Sequence, residues 1–575
     1  MKTLPGSLVL GLLLSSITSV QADEALLAAL PGGAPVVVQV KGFHRVQDRL
    51  KATLTHGGDE TKKWVETLQS AMGPLKGRTV TGLAGEGRLF IVLIDLPSPD
   101  SDANPQVGLF AQVKDYAAFR DGLLTETERK SITRQGDVER VTAEEREFYF
   151  GRRGEFVVVT PDKSVAENYA AGQGKVGFGN EVAPDVRRRL LDHDVSLYVN
   201  LGQVNKVYEQ QIAMFRGMMD MGLGQVSEIG GLPKSFGTYI KQVMEAMVQG
   251  FIDARVFQVA ADFEPMGIKA ALHIGFGDKS VTSTALSRLA RTHELNQLAK
   301  MPVGQHSYQS VDYGDFWSVM GPMSLGITMS DDAEVAKKQK EALEAFMAAG
   351  PGPMLYGMRQ LDDAVYTWDF VAPAQANEAL WKLYTSLKPG EHYAMMLKIT
   401  KVDAQAEPVT HRGHQFRHLA LEWEAADLPD EIAGQFKSIY GTGYKAWMGV
   451  VGAQWVMVTS KDWETAKATI DRLLDGKEHI GTLPSFASLR GRLPAKASLY
   501  ATGDLGYLLS LGFMAGSGLG SGSIIPSKRS KQESWFGLAV ELNPGFIHVE
   551  VWLPAKALND TIKAIQSSLE MPGEP

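Results

Sequence analysis

The chain contains no cysteine among its 575 residues. Disulfide bonds, thiolate metal sites and cysteine nucleophiles are therefore excluded by composition alone. A chain of this length can bury a sizeable core without covalent cross-links, and it is too long for one domain of ordinary size.

Basic residues are fewer than acidic ones, with 58 lysines and arginines against 66 aspartates and glutamates, so the formal net charge is −8. Nucleic-acid-binding proteins usually carry a strongly basic face. The charge balance therefore predicts no nucleic-acid partner. Hydrophobic residues at 44% and charged residues at 22% are proportions typical of a folded globular protein, which argues against wholesale disorder.

The apolar run near the start of the chain is too short to span a membrane. It extends from Leu8 to Leu14, with Lys2 before it and Val20-Gln21-Ala22 after it. This is the pattern of a secretory signal peptide. We predict that residues 1–22 are removed and that the mature chain is not transmembrane. Export without disulfides fits a bacterial protein that is periplasmic or secreted.

The motifs that mark many enzymes are missing as well. There is no Walker lysine motif, no G-x-S-x-G elbow, and no spacing that pairs a nucleophile with a base. The loop Asp100–Asn104 starts like a calcium site, but Pro105 and Ala111 stand where glycine and glutamate are needed. The glycines of Gly516–Gly522 follow no clean strand and open no clear helix, so they predict no phosphate site. The sequence therefore predicts no catalytic residue, no cofactor and, on balance, no enzyme.

Three of the twelve histidines, His411, His414 and His418, fall within one short stretch. On a helix, His414 and His418 would share a face and could hold a metal ion. The run Gln415–Trp423 has the pattern of a strand instead, in which positions four apart are roughly 13 Å from each other. We therefore predict no metal site here, and we predict a second strand at His392–Ile399.

One arrangement of elements occurs twice along the chain. In the first half, the apolar strand Phe156–Thr160 is followed by a helical pattern and then by the strand Val195–Val199. In the second half, Trp455–Thr459 and Ala497–Ala501 stand in the same order around another helical pattern. Such internal similarity indicates a repeated unit.

Each half then closes with a hairpin and a helix. The hairpin turns at Glu264-Pro265 in the first half and at Asn543-Pro544 in the second. We predict two diverged tandem repeats, 23–300 and 301–575. Because hairpins dominate and connecting helices are short, the predicted fold class is α+β, mainly antiparallel sheets with helices packed on them. The highly charged stretch Thr125–Glu147 is predicted to form strands or loops at the surface.

The start of the mature chain carries a resemblance. Asp23–Leu30 predicts a short amphipathic helix, Leu30-Pro31 ends it, and Val36-Val37-Val38 begins a strand rich in valine. In this the chain resembles a group of uncharacterised exported bacterial proteins, whose mature chains begin with a leucine-proline step and a valine-rich strand. The resemblance implies export and a repeated α+β build, and it implies no site residues.

A stretch rich in glycine and methionine follows the strand that holds Tyr198 or Tyr500 in each half. It covers 214–224 in the first half and 505–527 in the second. Methionine is flexible and polarisable, so clusters of it suit adaptable apolar surfaces. The six glycines and five serines of 505–527 argue against a membrane span. The candidate ligand-binding residues are Met214, Phe215, Met218, Met219, Met221, Leu508, Leu511, Phe513 and Met514.

These features predict an exported, non-enzymatic binding or interaction protein of the bacterial envelope. An envelope lipid or another envelope protein is the candidate partner of the two stretches. Three alternatives stay open. The stretches could be a core-facing helix with a glycine-rich loop. The protein could instead be an envelope hydrolase whose site is assembled from distant residues, or a structural component of a surface assembly.

Overall fold

The chain forms two compact units. Unit 1 comprises 1–212 and 254–275, and unit 2 comprises 213–253 and 276–575. The division into repeats at residue 300 stays a prediction. The signal segment 1–22 lies outside the residues that the structure describes. This computed structural model describes residues 24–63, 78–98, 105–143, 146–173, 177–226, 234–289, 291–312, 314, 329–350, 352–361, 365–393, 397–425, 433–434, 437, 441–505 and 535–569.

Unit 1 contains a sheet whose strands are β1 (Val36–Val40), β2 (Leu89–Leu93), β3 (Val107–Gln112), β4 (Thr133–Gln135), β5 (Val138–Ala143), β6 (Arg146–Arg153), β7 (Phe156–Thr160), β8 (Val195–Asn200), β9 (Ala254–Glu264) and β10 (Gly267–Phe276). The valine-rich β1 lies between β2 and β8, so that Val38 pairs with Ile91 on one side and Leu197 on the other. From β2 the sheet continues through β3, β7, β6 and β5 to β4. From β8 it continues through β9 to β10.

Helices pack on both faces of this sheet. On one face Phe90, Phe110 and Tyr198 are buried with Leu27 and Leu30. On the other face Leu89 and Ala111 are buried with Phe119. The helix predicted at Asp23–Leu30 is confirmed over 24–29. The other helical segments that begin in unit 1 are 59–63, α1 (Phe43–Gly57), α2 (Tyr116–Leu123), α3 (Glu126–Lys130), α4 (Lys163–Ala170), α5 (Phe178–Glu181), α6 (Pro184–Asp192), α7 (Leu201–Val207) and α8 (Glu209–Val226).

The charged stretch Thr125–Glu147 is only partly the strands or loops that were expected, because it begins with the helix α3. The Thr125 hydroxyl accepts a hydrogen bond from the Glu128 backbone N–H, and the Glu128 carboxylate accepts one from the Thr125 N–H at 2.8 Å. This reciprocal capping satisfies two backbone donors that a helix start leaves without partners. Arg78 adds an ion pair with Glu128 at 2.6 Å. The Thr-x-x-Glu spacing is the sequence signal of this helix.

The strands of unit 2 are β12 (Ser307–Val311), β13 (Met354–Leu361), β14 (Val365–Pro373), β15 (His392–Tyr393), β16 (Leu397–His411), β17 (His414–Glu424), β18 (Gly443–Val451), β19 (Gln454–Ser460), β21 (Leu499–Gly503), β22 (Phe536–Asn543) and β23 (Phe546–Pro554). Among them β12 lies between β13 and β21. From β13 the order is β14, β19, β18, β17, β16 and β15, and from β21 it is β22 and β23. A separate pair joins β11 (His293–Glu294) to β20 (Lys496–Ala497).

In every strand pair whose residue register the structure defines, the two strands run antiparallel, and helices pack on the strands. The predicted α+β class is therefore confirmed. The strands of the two units also share one order of connections. The strands that begin the recurring pattern hold equivalent places: β7 pairs with β3, and β19 pairs with β14. The closing hairpins are β9–β10 and β22–β23.

The core of unit 2 surrounds Trp455, whose side chain is fully buried with Phe346 and Tyr384. A second cluster packs Tyr308 and Phe486 beneath the opposite face of β12. The helices assigned to unit 2 in the described part are α9 (Lys234–Asp253), α10 (Val281–Leu289), α11 (Ala333–Ala348), α12 (Asn377–Thr385), α13 (Trp463–Asp475), α14 (Pro484–Arg490) and α15 (Ala555–Leu569), with 3₁₀ turns at Leu295–Lys300, Ala374–Ala376 and Ile480–Thr482.

The strand predicted at His392–Ile399 is wrong in part. Tyr393 pairs antiparallel with Leu397, so the two belong to different strands, and the strand that starts at Leu397 runs on to His411. The strand predicted at Gln415–Trp423 is confirmed as β17. The extension of β16 was not visible in its sequence because most side chains from Lys401 onward are exposed and polar.

Candidate apolar contact surface

The helix α8 carries large apolar side chains that are exposed to solvent. Met214 is 62% exposed, Phe215 53%, Met218 51% and Met221 69%. Every residue from Ala213 to Met218 is exposed. A core-facing helix would bury these side chains, so the alternative of a core-facing helix is wrong for this part of 214–224.

The exposed apolar side chains of α8 share one side of the helix. At 3.6 residues per turn, Met214, Met218 and Met221 lie within about 60° of each other around the helix axis, and Phe215 lies beside them. The exposed Arg216 lies about 160° from Met218, on the opposite side. We call Met214, Phe215, Met218 and Met221 the apolar stripe.

The start of α8 is fixed by hydrogen bonds near its first turn. The Asn200 side chain caps the preceding helix α7 by accepting from the Gln203 N–H at 3.1 Å. The Tyr208 hydroxyl donates to the Pro97 carbonyl at 3.3 Å, and the Ile212 N–H donates to the Tyr208 carbonyl at 3.0 Å. The apolar stripe therefore begins directly after an anchored turn.

The next helix, α9, also has exposed apolar side chains, Met247 at 64% and Phe251 at 44%. With the half-buried Met244 they lie within about 60° around the helix axis. The C-terminal end of α9 is anchored because the Asp253 carboxylate accepts from the Thr282 N–H at 2.8 Å, at the start of α10. The sequence-based reasoning missed Met247 and Phe251, although their spacing of four residues is a signal that would have found them.

The apolar stripe is large enough to matter energetically. Its four side chains together present on the order of 400 Å² to water, if a fully exposed side chain of this size presents about 200 Å². The largest apolar patch on a typical monomer is roughly 300–600 Å² and is often functional. Side chains of this kind offer carbon and sulfur atoms and no strong hydrogen-bonding group, so the stripe suits an apolar partner.

Unit 1 contains a cleft of about 630 Å³ that is lined mainly by charged residues. Several of the charges compensate each other: Glu86 pairs with Lys41 at 3.3 Å and with the buried Arg88 at 3.4 Å. Arg88 also donates to the Leu191 carbonyl at 2.7 Å. No histidine or hydroxyl side chain is among the described residues that line it, so it does not hold the histidine and hydroxyl of a serine-type hydrolase. The lining residues are Glu24, Lys41, Glu86, Arg88, Pro184, Asp185, Arg187, Arg188, Leu191 and Asp192.

A histidine and a hydroxyl do meet inside unit 2. His293 Nε2 lies 2.7 Å from Ser310 Oγ. Burial lowers the pKa of His293, and the negative charge of Asp312 offsets this only in part. Ser310 is fully buried and His293 is only 6% exposed. A substrate cannot reach a hydroxyl at that depth, so the pair holds the core together and does not favour the hydrolase alternative.

The three histidines of the 411–418 stretch have separate partners. His411 Nε2 contacts Asp471 at 2.8 Å, His414 Nδ1 contacts the Val450 carbonyl at 3.1 Å, and the His418 ring lies 5.0 Å from the Trp447 ring. In the parts of the chain that the structure describes, no group of three or more histidines and acids is placed to hold a metal ion. The same ranges contain no helix long and apolar enough to cross a membrane.

An ion pair in unit 1 leads to a prediction on pH. Burial would raise the pKa of Asp262, but the hydrogen bond and charge of His193, at 2.8 Å, together with the Asp194 N–H and Lys269, outweigh burial and hold that pKa below its usual value. A carboxylate with a lowered pKa stabilises the fold above its unfolded pKa of about 3.9, and this contribution is lost as the pH falls through the folded pKa. Asp262→Asn is expected to cost about 1–2 kcal/mol at pH 7 and less near pH 2.5, because the contribution of the carboxylate declines as the pH falls below about 3.9. Urea unfolding of both proteins at the two pH values tests this, and an equal loss at both would contradict it.

Comparison with known proteins leaves the family open. No protein-family model matches the chain, and no curated protein does. Two solved structures that are similar in part are crystal forms I and III of TP0453, at 11% sequence identity. They cover 47% and 46% of this chain and 87% and 88% of their own chains, with TM-scores of 0.23 and 0.22. Similarity at that level carries no argument about fold or function.

The structure describes side chains of one of the two predicted glycine- and methionine-rich stretches, 214–224. Met214, Phe215, Met218 and Met221 come together on α8, as described above. Met219 is on the same helix, but its side chain lies outside the described part. The other candidate residues belong to a stretch that the structure does not describe: Leu508, Leu511, Phe513 and Met514.

Proposed function

We propose that the protein is an exported, non-enzymatic binding protein of the bacterial envelope that contacts an apolar partner through the apolar stripe on α8. The partner is an envelope lipid or another envelope protein. The observation that carries the proposal is the exposure of Met214, Phe215, Met218 and Met221 on one side of a helix. Export is proposed from the sequence pattern of residues 1–22.

Helix energetics supports the proposal. A helix whose side chains are in water gains nothing from packing, and most helical stability in proteins comes from the packing of an apolar face. Removing an apolar side chain from water contributes roughly 25 cal/mol per Å² of buried apolar surface. A partner that covers the apolar stripe therefore supplies the packing that the described contacts of Ala213 to Met218 do not.

We also propose that the two halves, 23–300 and 301–575, are diverged copies of one α+β unit, as the sequence predicts. The shared order of strands supports this, because β1 and β12 hold equivalent central places. In this comparison the connection from β8 to β9, which contains α8, corresponds to the connection from β21 to β22, which contains 505–527. The stretch 505–527 thus follows the same strand of its half as the stretch 214–224 does.

The absence of cysteine allows a direct test of the proposed function. A single-cysteine variant, Met218→Cys, has one thiol in the whole chain. In intact cells of the source bacterium, this thiol is expected to react with a membrane-impermeant maleimide, admitted through a permeabilised outer membrane, at least about tenfold more slowly than in the purified protein. The expected ratio corresponds to about 1.4 kcal/mol of protection by the partner.

The matched control is Arg216→Cys, which lies on the opposite side of the same helix and is also exposed. Its thiol is expected to react at similar rates in cells and in the purified protein. Equal reactivity of both thiols in cells and in solution would mean that nothing covers the apolar stripe, and the proposed function would be wrong.

A further inference from the structure

We propose that the partner of the apolar stripe is the surface of a lipid bilayer, into which α8 inserts lengthwise by apolar burial and without a requirement for anionic lipid. This inference rests on the proposed function and names the class of its partner. Three observations carry it: the shape of the exposed surface, its chemistry, and the placement of charge around the helix.

The shape of the surface favours lipid over a protein partner. Every residue from Ala213 to Met218 is exposed, so the stripe stands on the outside of a helix and not in a groove. A protein partner would have to supply a complementary groove for a helix of this kind. Acyl chains adapt to any convex apolar surface, and an amphipathic helix lying in the interface buries its apolar side about 5–10 Å deep.

The chemistry of the stripe points the same way. Met214, Phe215, Met218 and Met221 offer no strong hydrogen-bond donor or acceptor, so they give a protein partner little to select on. Specific protein interfaces carry about one hydrogen bond per 100–200 Å². An acyl-chain environment has no such requirement, and it penalises polar groups instead.

The charge on α8 decides which lipid is needed. The only charged residues of this helix are Glu209, Arg216 and Asp220, one cation against two anions. Helices that are drawn to anionic lipid carry clusters of lysine and arginine, each worth about 1 kcal/mol near the membrane surface. With a single arginine and a chain net charge of −8, electrostatic attraction to an anionic surface is not available. The affinity has to come from apolar burial, which salt does not screen.

The test uses purified full-length protein with the environment-sensitive fluorophore NBD attached at Met218→Cys, or at Arg216→Cys as the matched control. Each labelled protein is mixed with vesicles of phosphatidylcholine alone and with vesicles that also contain phosphatidylglycerol. The M218C label is expected to shift to the blue and brighten severalfold with both vesicle types, and brominated acyl chains are expected to quench it. The R216C label is expected to change little. The shift is expected to persist in about 1 M NaCl, where the screening length is about 3 Å.

Each other outcome overturns the inference in a distinct way. A response with anionic vesicles alone, abolished by salt, would mean that another, charged surface binds the membrane. Equal responses at both labels would mean that the stripe is not the side that inserts. If neither label responds while the M218C thiol stays protected in cells, lipid is the wrong partner and the proposed function stands. If neither label responds and the M218C thiol is also unprotected in cells, both the lipid inference and the proposed function are wrong.

Discussion

Placing glutamate at both Met214 and Met218 is expected to weaken the attachment of the protein to cell-envelope membranes about 100-fold. Each methionine that leaves water contributes on the order of 1.5 kcal/mol, and the loss of two corresponds to about 3 kcal/mol before the cost of burying a carboxylate is counted. The measurement is the fraction of the protein that sediments with envelope membranes, as a function of membrane concentration.

The control for this experiment is Arg216→Glu, which changes the net charge by the same two units as the double substitution. It lies on the opposite side of α8, so we expect the membrane-bound fraction to stay close to that of the unaltered protein. All three proteins should unfold at the same temperature, because the altered side chains are exposed. Equal release by the double substitution and by the control would show that charge, and not the apolar stripe, governs attachment.

Trp455→Ala is expected to lower the free energy of unfolding by about 3–5 kcal/mol, the usual cost of removing a large buried aromatic side chain. Trp455 is fully buried in β19 and packs in the same cluster as Phe346 and Tyr384. The surrounding helices are held by several strands and cannot close over the space that the indole leaves. Urea unfolding followed by circular dichroism measures the loss.

Trp455→Phe is the matched control for this cavity. The Trp455 Nε1 atom is buried with no hydrogen-bond partner among the described atoms. Phenylalanine fills most of the space and removes that donor, so we expect a loss below about 1.5 kcal/mol. A loss under about 1 kcal/mol for Trp455→Ala would contradict the account of the unit 2 core, since it would mean that the indole is not tightly packed.

Much of the local structure could be predicted from the sequence, because it follows from patterns within a few residues. The closing hairpins of the two halves have clear turn signals between apolar runs, and the structure has them as β9–β10 and β22–β23. The order of strands could not be predicted in the same way. The pairing of β1 with β8 joins residues far apart in sequence, such as Val38 and Leu197, and no local pattern encodes it.

The candidate site was predicted in part for a related reason. Composition identifies the methionines of 214–224, but it does not say whether a helix turns them inward or outward. That depends on what else packs nearby, and the structure shows Met214 and Met218 exposed. The apolar side of α9 could have been found from the spacing of Met247 and Phe251. The hydrogen bond that anchors the end of α9 could not have been found in this way, because Asp253 accepts from the Thr282 N–H only in the folded chain.

The most direct test of the central claim is a spin-label scan of residues 213–218 and 221, one single-cysteine variant at a time, in isolated cell envelopes. The quantity measured is the collision rate of each nitroxide with a water-soluble nickel reagent, compared with the rate in the purified protein. We expect the rate to fall at 214, 218 and 221, to stay high at 216, and so to follow the 3.6-residue period of a helix. Uniformly high rates at all seven positions would mean that the apolar stripe faces water in the envelope, and would contradict the proposed contact surface.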